Sequence, residues 1–306
     1  MKKIYPKIEP KFLLMYGPQI FDKRFGAIKP EGSLGLIYLA SSLRNKNFEV
    51  GILDASVGND DYTLEETFFN EKIQPNGLVR IGMNIKDILG EVVDYDVIGI
   101  SSIFTAQTRM AEEVVAEIRR EYPDKIIILG GVNAKSQMPL FFNAGADLIC
   151  LSEAEETIVE IGELLRRGER DFSKINGVAG KEGFVNPRLK IIQNLDELPI
   201  PAWDMLPLEK YWKIARPHGG GLKDGNVAYA SAMFSRGCPF KCHFCHVSKE
   251  IEGSISGNTR KYRTKSIDRV SEEIRILKSL GVKYVFVEDD SMLAKKSRAK
   301  TIFLKI

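Results

Sequence analysis

Long apolar runs are missing from this 306-residue chain. No stretch approaches the roughly 20 residues that would span a bilayer. The lysines of Met1-Lys2-Lys3 are not followed by the apolar segment of a signal peptide, so the expectation is a cytoplasmic protein with no membrane partner. A strong charge of either sign is missing too. The 44 Lys and Arg against 41 Asp and Glu leave a net charge of +3, which makes no electrostatic case for nucleic acid. Cysteine is scarce: there are 4, and three of them crowd into one loop too tight for a disulfide framework. That usage fits a reducing compartment and a metal site. Histidine is scarcer, with only His218, His243 and His246. What remains is ordinary for a globular protein, 44% hydrophobic and 28% charged, at a length that suggests about two domains.

The crowded loop reads Ser235-Arg236-Gly237-Cys238-Pro239-Phe240-Lys241-Cys242-His243-Phe244-Cys245, a C-x3-C-x2-C spacing. Three thiolates so placed can bind three irons of a cubane cluster and leave the fourth iron without a protein ligand. An iron with an open position can act on a bound substrate, whereas a cluster with four cysteine ligands mainly carries electrons. Two other chemistries share these donors. Zinc could take the three thiolates with His243 or His246, although zinc motifs usually pair two separated C-x2-C elements. A ferredoxin would need a fourth cysteine, and Cys150 sits inside an apolar run that reads as core.

Ahead of this loop, short apolar runs alternate with helical patterns. Phe12–Tyr16, Val50–Asp54, Val97–Ser101, Ile126–Leu129 and Leu148–Leu151 read as strands. Ser33–Lys46, Ala111–Glu121 and Ala154–Arg167 read as helices. Apolar strands separated by helices predict an α/β fold with a doubly wound parallel sheet. Ligands bind such sheets beyond the carboxyl ends of the strands. The residues there are small or polar: Ser101, Ser102 and Thr105, then Gly130-Gly131, then Ser152-Glu153. They are candidate ligand contacts, and they are equally plain turn residues. Residues 171–226 read as a connector, with a hairpin pairing Gly177–Gly180 to Leu189–Ile192, a proline-rich strap over Asn194–Asp204, and a flexible loop at Gly219–Gly221. Beyond it come a strand over Val227–Phe234, the cysteine loop, a helix over Ser266–Leu280, a strand over Val282–Val287 ending in Glu288-Asp289-Asp290, and a helix over Lys295–Ile306. Strand, helix and parallel strand are the opening of a (β/α) barrel.

Several of these segments resemble a known family. Leu34–Ala40, Gly51–Ala55, Gly99–Ser102, Gly130–Asn133 and Ser152–Thr157 are together similar to the cobalamin-binding domain that precedes many radical S-adenosylmethionine (SAM) enzymes. Arg236-Gly237-Cys238-Pro239, Cys242-His243-Phe244-Cys245, Arg263 and Glu288-Asp289-Asp290 resemble the radical SAM superfamily itself. The resemblance implies a Rossmann-like cobalamin domain over 1–170, the connector over 171–226 and the start of a partial barrel over 227–306. It implies that Cys238, Cys242 and Cys245 hold a 4Fe-4S cluster, whose open iron chelates SAM and cleaves it reductively to a 5′-deoxyadenosyl radical. Phe244 would lie against the adenine, and Asp289 or Asp290 would receive the methionine ammonium. Arg263 carries part of the match, yet read by itself it is a charged residue expected at the surface. Cobalamin would lie over Ser101, Ser102, Thr105, Gly130, Gly131 and Glu153. The family's reactions imply methyl transfer to an unactivated centre of a small-molecule substrate, with electrons from a donor such as flavodoxin or ferredoxin. The Asp-x-His-x-x-Gly loop that ligates cobalt in corrinoid mutases is absent, so no histidine of the first domain supplies a lower ligand. The stretch 227–306 is also short for the family's six-stranded barrel. The expectation is therefore a truncated chain or one completed by a partner chain, and a non-catalytic cluster- or corrinoid-binding module is the rival reading.

Overall fold

The computed structural model describes residues 7–24, 32–187, 191–214, 227–249 and 261–305. Gly219–Gly221 and the sequence positions 189 and 190 of the expected hairpin lie outside them. The chain opens with β1 (Phe12–Tyr16) and β2 (Gln19–Phe21), then α1 (Leu34–Arg44) and β3 (Val50–Asp54). A small excursion follows, in which β4 (Lys72–Ile73) and β5 (Val79–Ile81) join β2 in an antiparallel sheet. The main alternation resumes with α2 (Ile85–Val92), β6 (Val97–Ser101), α3 (Thr108–Glu121), β7 (Ile126–Gly130), α4 (Val132–Ser136), α5 (Met138–Ala144), β8 (Leu148–Cys150) and α6 (Glu155–Arg166).

Five of these strands run parallel in the order β3-β1-β6-β7-β8. Successive side chains of a strand point to opposite faces, and the two cores follow that period. Phe12, Leu14, Ile126 and Ile128 enter one core with Ile37 and Leu43 of α1 and Ile158 and Ile161 of α6. Leu13, Met15, Ile127 and Leu129 enter the other with Val114 and Ile118 of α3 and Phe141 of α5. The sheet is thus doubly wound, as the apolar runs require. Strand order reverses between β1 and β6, and at such a switch point the strand ends leave a crevice for a ligand.

The connector extends this sheet. β9 (Val178–Gly180) pairs antiparallel with β8 on one side and with β10 (Val185–Asn186) on the other. The hairpin therefore closes earlier than the pairing with Leu189–Ile192 read from the sequence. Gly183, at φ +91°, lets the chain reverse at once, and the Gly180 N–H donates to the Phe184 carbonyl at 3.0 Å. Ile192 packs instead with Tyr38, Leu195 and Leu198. The proline-rich strap and α7 (Leu208–Ile214) then rivet the two halves together. Tyr211 donates to Asp54 at 2.9 Å, and the Lys210 ammonium donates to the carbonyls of Val57, Gly58, Asn59 and Tyr62. On the other side the indoles of Trp203 and Trp212 donate to the carbonyls of Ser231 and Tyr229, at 2.9 and 2.8 Å.

The second half begins with β11 (Tyr229–Ala232) and β12 (Ser235–Arg236), which leads into the cysteine loop and the short α8 (His246–Lys249). β13 (Arg263–Thr264) returns antiparallel to β12. α9 (Ile267–Ser279) follows, capped by the Ser266 hydroxyl, which accepts from the Arg269 N–H at 3.1 Å. Gly281, at φ +84°, ends it, and β14 (Tyr284–Val287) lies parallel to β11. α10 (Lys296–Lys305) completes the described chain. Among the described residues no helix is long and apolar enough to cross a membrane.

Candidate functional site

A cavity of about 360 Å³ lies where the crevice of the sheet meets the cysteine loop. One wall is the carboxyl ends of β6, β7 and β8 with the first turn of α1; the opposite wall is Met233, Arg236, Gly237 and Asp290, with His246 and Val247 beside them. The lining is mostly apolar, as ligand pockets are. Gly131 sits at φ +102°, and a Cβ there would fall 2.4 Å from the Ser102 carbonyl oxygen, so no side chain can project from this point. A Cβ at Gly130 would meet only Cys150, at 3.9 Å, which leaves the floor beside it open. Among the described residues, the hydroxyl oxygens of Ser33 and Ser152 in the lining are buried with no hydrogen-bond partner. Buried polar atoms are normally satisfied, so these two are available to a ligand.

The expected cofactor contacts divide into four groups. Ser101, Gly130, Gly131, Glu153 and Asp290 line the cavity. Ser102 is buried beneath it, its hydroxyl accepting from the Asn133 amide at 2.8 Å. Thr105 is exposed in a 3-10 turn outside the cavity, and Phe244 is 92% exposed. Asp289 has turned inward to hold backbone. Its carboxylate accepts from the N–H groups of Phe234 (2.7 Å) and Ser235 (3.0 Å) and from the Ser235 hydroxyl (2.5 Å). Asp290 accepts from the Gly237 N–H at 2.9 Å, one residue before the first cysteine of the loop. The acidic end of β14 thus pins the residues that lead into the loop.

The surface placement read for Arg263 is wrong. Its side chain is only 3% exposed because it forms a two-pronged pair with Glu153, at 2.6 and 3.0 Å, and also donates to the Ile192 carbonyl at 2.6 Å. Arg236 pairs with Glu155, lies 3.7 Å from Glu153 and stacks on the Tyr38 ring with 4.7 Å to its centre. Burial lowers the proton affinity of Arg236, and the adjacent Glu155 and Glu153 carboxylates outweigh it, so the pKa is raised overall. Beyond Tyr38, Lys265 donates to the Tyr38 hydroxyl at 2.8 Å and to both oxygens of Glu273, at 2.5 and 2.6 Å. Burial pulls Lys265 down to about 8 against the pull of Glu273. The Glu153–Arg263, Glu155–Arg236 and Tyr38–Lys265 partnerships carry no local sequence signal, because their partners come from distant segments.

The cysteine loop itself leaves Cys238 and Cys245 half-buried and Cys242 exposed, with the Cys245 N–H donating to the Cys242 carbonyl at 3.2 Å. Among the described residues no three His, Cys, Asp or Glu side chains converge on a point that could hold a metal ion. The donors nonetheless suit iron and sulfide: three soft sulfur ligands on one loop, with its entry pinned and its flank facing a cavity.

The family pattern of the B12 binding domain matches residues 30–162, and that of the radical SAM superfamily matches residues 233–303. The chain is a B12-binding radical SAM protein. An uncharacterized methyltransferase of Pyrococcus horikoshii is 31% identical over 280 residues, which cover 89% of this chain and 52% of the relative. The cytidylyl-2-hydroxyethylphosphonate methyltransferase of Streptomyces wedmorensis is 26% identical over 88% of this chain and 53% of its own length. This B12-binding radical SAM protein spans about half the length of the curated relatives it matches. Among solved structures, the radical SAM methyltransferase TsrM of Kitasatospora setae, with cobalamin and a [4Fe-4S] cluster bound, shares the fold at TM-score 0.65. It covers 97% of this chain and 52% of that one, at 16% identity. The α/β fold with a mostly parallel central sheet, read from the sequence, is therefore shared with that structure.

Proposed function

We propose that this B12-binding radical SAM protein holds a corrinoid against its sheet and a 4Fe-4S cluster on its cysteine loop, and serves methyl transfer to an unactivated carbon or phosphorus centre of a small molecule. One observation carries the reading: a single cavity has the strand ends of the B12 binding domain as one wall and the flank of the cysteine loop as the other. When bound, the cluster supplies the electron that cleaves SAM and the corrinoid supplies the methyl group, so the hard chemistry belongs to the cofactors.

The chain's own residues do the placing. Cys238, Cys242 and Cys245 would be the thiolate ligands, and Asp289 and Asp290 fix the backbone that delivers them. Gly130 and Gly131 let a flat ligand approach the strand ends without meeting a side chain. Ser33 and Ser152 offer hydroxyls to its polar edge. Residues 1–170 hold no histidine, so this domain would offer a corrinoid no imidazole ligand. The exposed cysteine loop, with Phe240 and Phe244 at its surface, leaves an approach for an electron donor such as a flavodoxin or ferredoxin.

The test is anaerobic reconstitution with iron and sulfide, addition of hydroxocobalamin, reduction in the presence of SAM, and assay for 5′-deoxyadenosine. Four irons per chain, a corrinoid retained through gel filtration and product formation support the reading in full. Cluster and corrinoid without product would assign this chain the holding of cofactors alone. Failure to bind iron and sulfide would overturn the proposal.

A further inference from the structure

We infer that Glu153 and Glu155 are positioning residues: through Arg263 and Arg236 they latch the cysteine loop to the end of the sheet and so set the width of the cavity between them. The two carboxylates stand just beyond β8, where an acidic residue at a strand end would ordinarily face a ligand. Their bonding is turned the other way. Glu153 spends both oxygens on the Arg263 guanidinium, at 2.6 and 3.0 Å, and one of them also accepts from the Ile192 N–H at 3.2 Å. Glu155 takes Arg236, whose guanidinium also lies 3.7 Å from Glu153. The Glu153–Arg263 bond spans 110 residues of sequence and the Glu155–Arg236 bond 81, so each joins the B12 binding domain to the radical SAM domain.

The place where the latch grips matters more than its strength. Arg236 and Arg263 are partners in the two-residue ladder of β12 and β13, the base from which the cysteine loop projects. Arg236 precedes Gly237 and Cys238 directly. The same few residues are held from the other side by Asp289 and Asp290. The base of the loop is therefore clamped between the second domain's own strand end and the first domain's carboxylates. Bidentate guanidinium–carboxylate geometry fixes orientation as well as distance. Tyr38 of α1, under the Arg236 guanidinium and hydrogen-bonded by Lys265, closes the arrangement beneath. Glu153, Arg236 and Arg263 also line the cavity, so any shift in the latch changes the space a ligand has.

What the latch serves rests on the proposed function, but its existence can be tested on the cofactor-free chain. The variants are E153Q and E155Q, which keep the shape and remove the charge. Hydrogen exchange of segment 234–246 and alkylation rates of Cys238, Cys242 and Cys245 report the loop, while buried Cys150 reports global opening. We expect exchange and alkylation at the loop to rise roughly tenfold, the size of effect typical for breaking one member of a coupled network, with Cys150 still protected. Should E155Q not fold, the double variant E155Q/R236M removes both charges and leaves no buried ion unpaired, and it must show the same loosening. Unchanged loop rates with an intact fold would overturn the latch. So would a rise shared equally by Cys150 and the sheet, because the carboxylates would then only hold the fold together. A loosened loop in the variants, together with a wild-type chain that fails to bind iron, would leave the latch standing and sink the cluster reading instead.

Discussion

Asp289 separates two accounts of the acidic end of β14. If the carboxylate is a backbone anchor, Asp289→Ala removes the acceptor of three hydrogen bonds at once, at 2.5, 2.7 and 3.0 Å. Phe234 and Ser235, whose N–H groups lose their partner, are both fully buried. A buried donor left unsatisfied costs about 1–3 kcal/mol. Two of them make the expected loss about 2–6 kcal/mol. Asp289→Asn behaves differently for a geometric reason. One oxygen, Oδ1, accepts both backbone N–H groups, and an amide oxygen can do the same. The amide nitrogen that replaces Oδ2 would donate to the Ser235 hydroxyl in place of accepting from it. Only charge assistance is lost, about 1 kcal/mol. Urea titration of the cofactor-free chain measures both values, and equilibrium binding of SAM to reconstituted protein is measured alongside. If Asp289 instead receives the methionine ammonium, both variants would weaken SAM binding while leaving stability within about 0.5 kcal/mol, as for a surface substitution. That pattern would refute the anchor.

Substitutions at three other places probe further features. Lys265→Met strands Glu273, which is 0% exposed, beside Arg269 alone, and should cost about 3–5 kcal/mol by chemical denaturation; Lys265→Met with Glu273→Leu should recover more than half of that. Gly131→Ala forces an L-residue to φ +102° with its Cβ 2.4 Å from a carbonyl oxygen, for an expected loss of about 2–4 kcal/mol in a thermal melt, whereas Gly130→Ala should change stability by under about 1 kcal/mol. Burial raises the Asp54 carboxyl above its ordinary range, against the hydrogen bonds from Ser56 and Tyr211 that lower it. The fold therefore favours the protonated acid, and the stability this contributes is complete below the ordinary carboxylate range and fades as pH rises through the raised value. Asp54→Asn does not titrate, so in urea titrations between roughly pH 4 and pH 7 it should gain on the wild type as pH rises; a constant difference would refute the assignment.

The sheet was legible because its strands are buried on both faces and so read as uninterrupted apolar runs. Ile126–Leu129 is the plainest case, and its two faces feed two different cores. The hairpin was misplaced for the opposite reason. β10 is two residues long and Val185 is exposed, so it leaves no apolar run, and the neighbouring Ile191-Ile192 pair is the stronger strand signal. At the site, residue types were readable and partnerships were not. A carboxylate at a strand end can meet an ammonium, a guanidinium or a backbone N–H. Glu153 and Asp289 took the last two of these, through contacts with residues far away in the chain. Arg263 looked like a surface residue because charged side chains usually are; its partner lies 110 positions earlier. Tyr38 and Ser33 carry no signal of what they touch, one being an aromatic within a helix pattern and the other the first residue of that pattern.

Adhesion and register between the two domains come from different residues. Trp203, Tyr211, Tyr229 and Phe234 belong to the same apolar cluster as Phe12 and Ile37, so one hydrophobic core runs from the sheet into the second domain. Such contact is strong and has little directional preference. It would hold the domains together at many neighbouring settings. The Glu153–Arg263 and Glu155–Arg236 pairs add little net stability, since an apolar replacement of a buried ion pair is often as good. They do penalise every setting in which a guanidinium or carboxylate is left without its partner. That division suits a site whose two walls come from different domains. The oily core keeps the walls together, and the buried charges decide how far apart they stand.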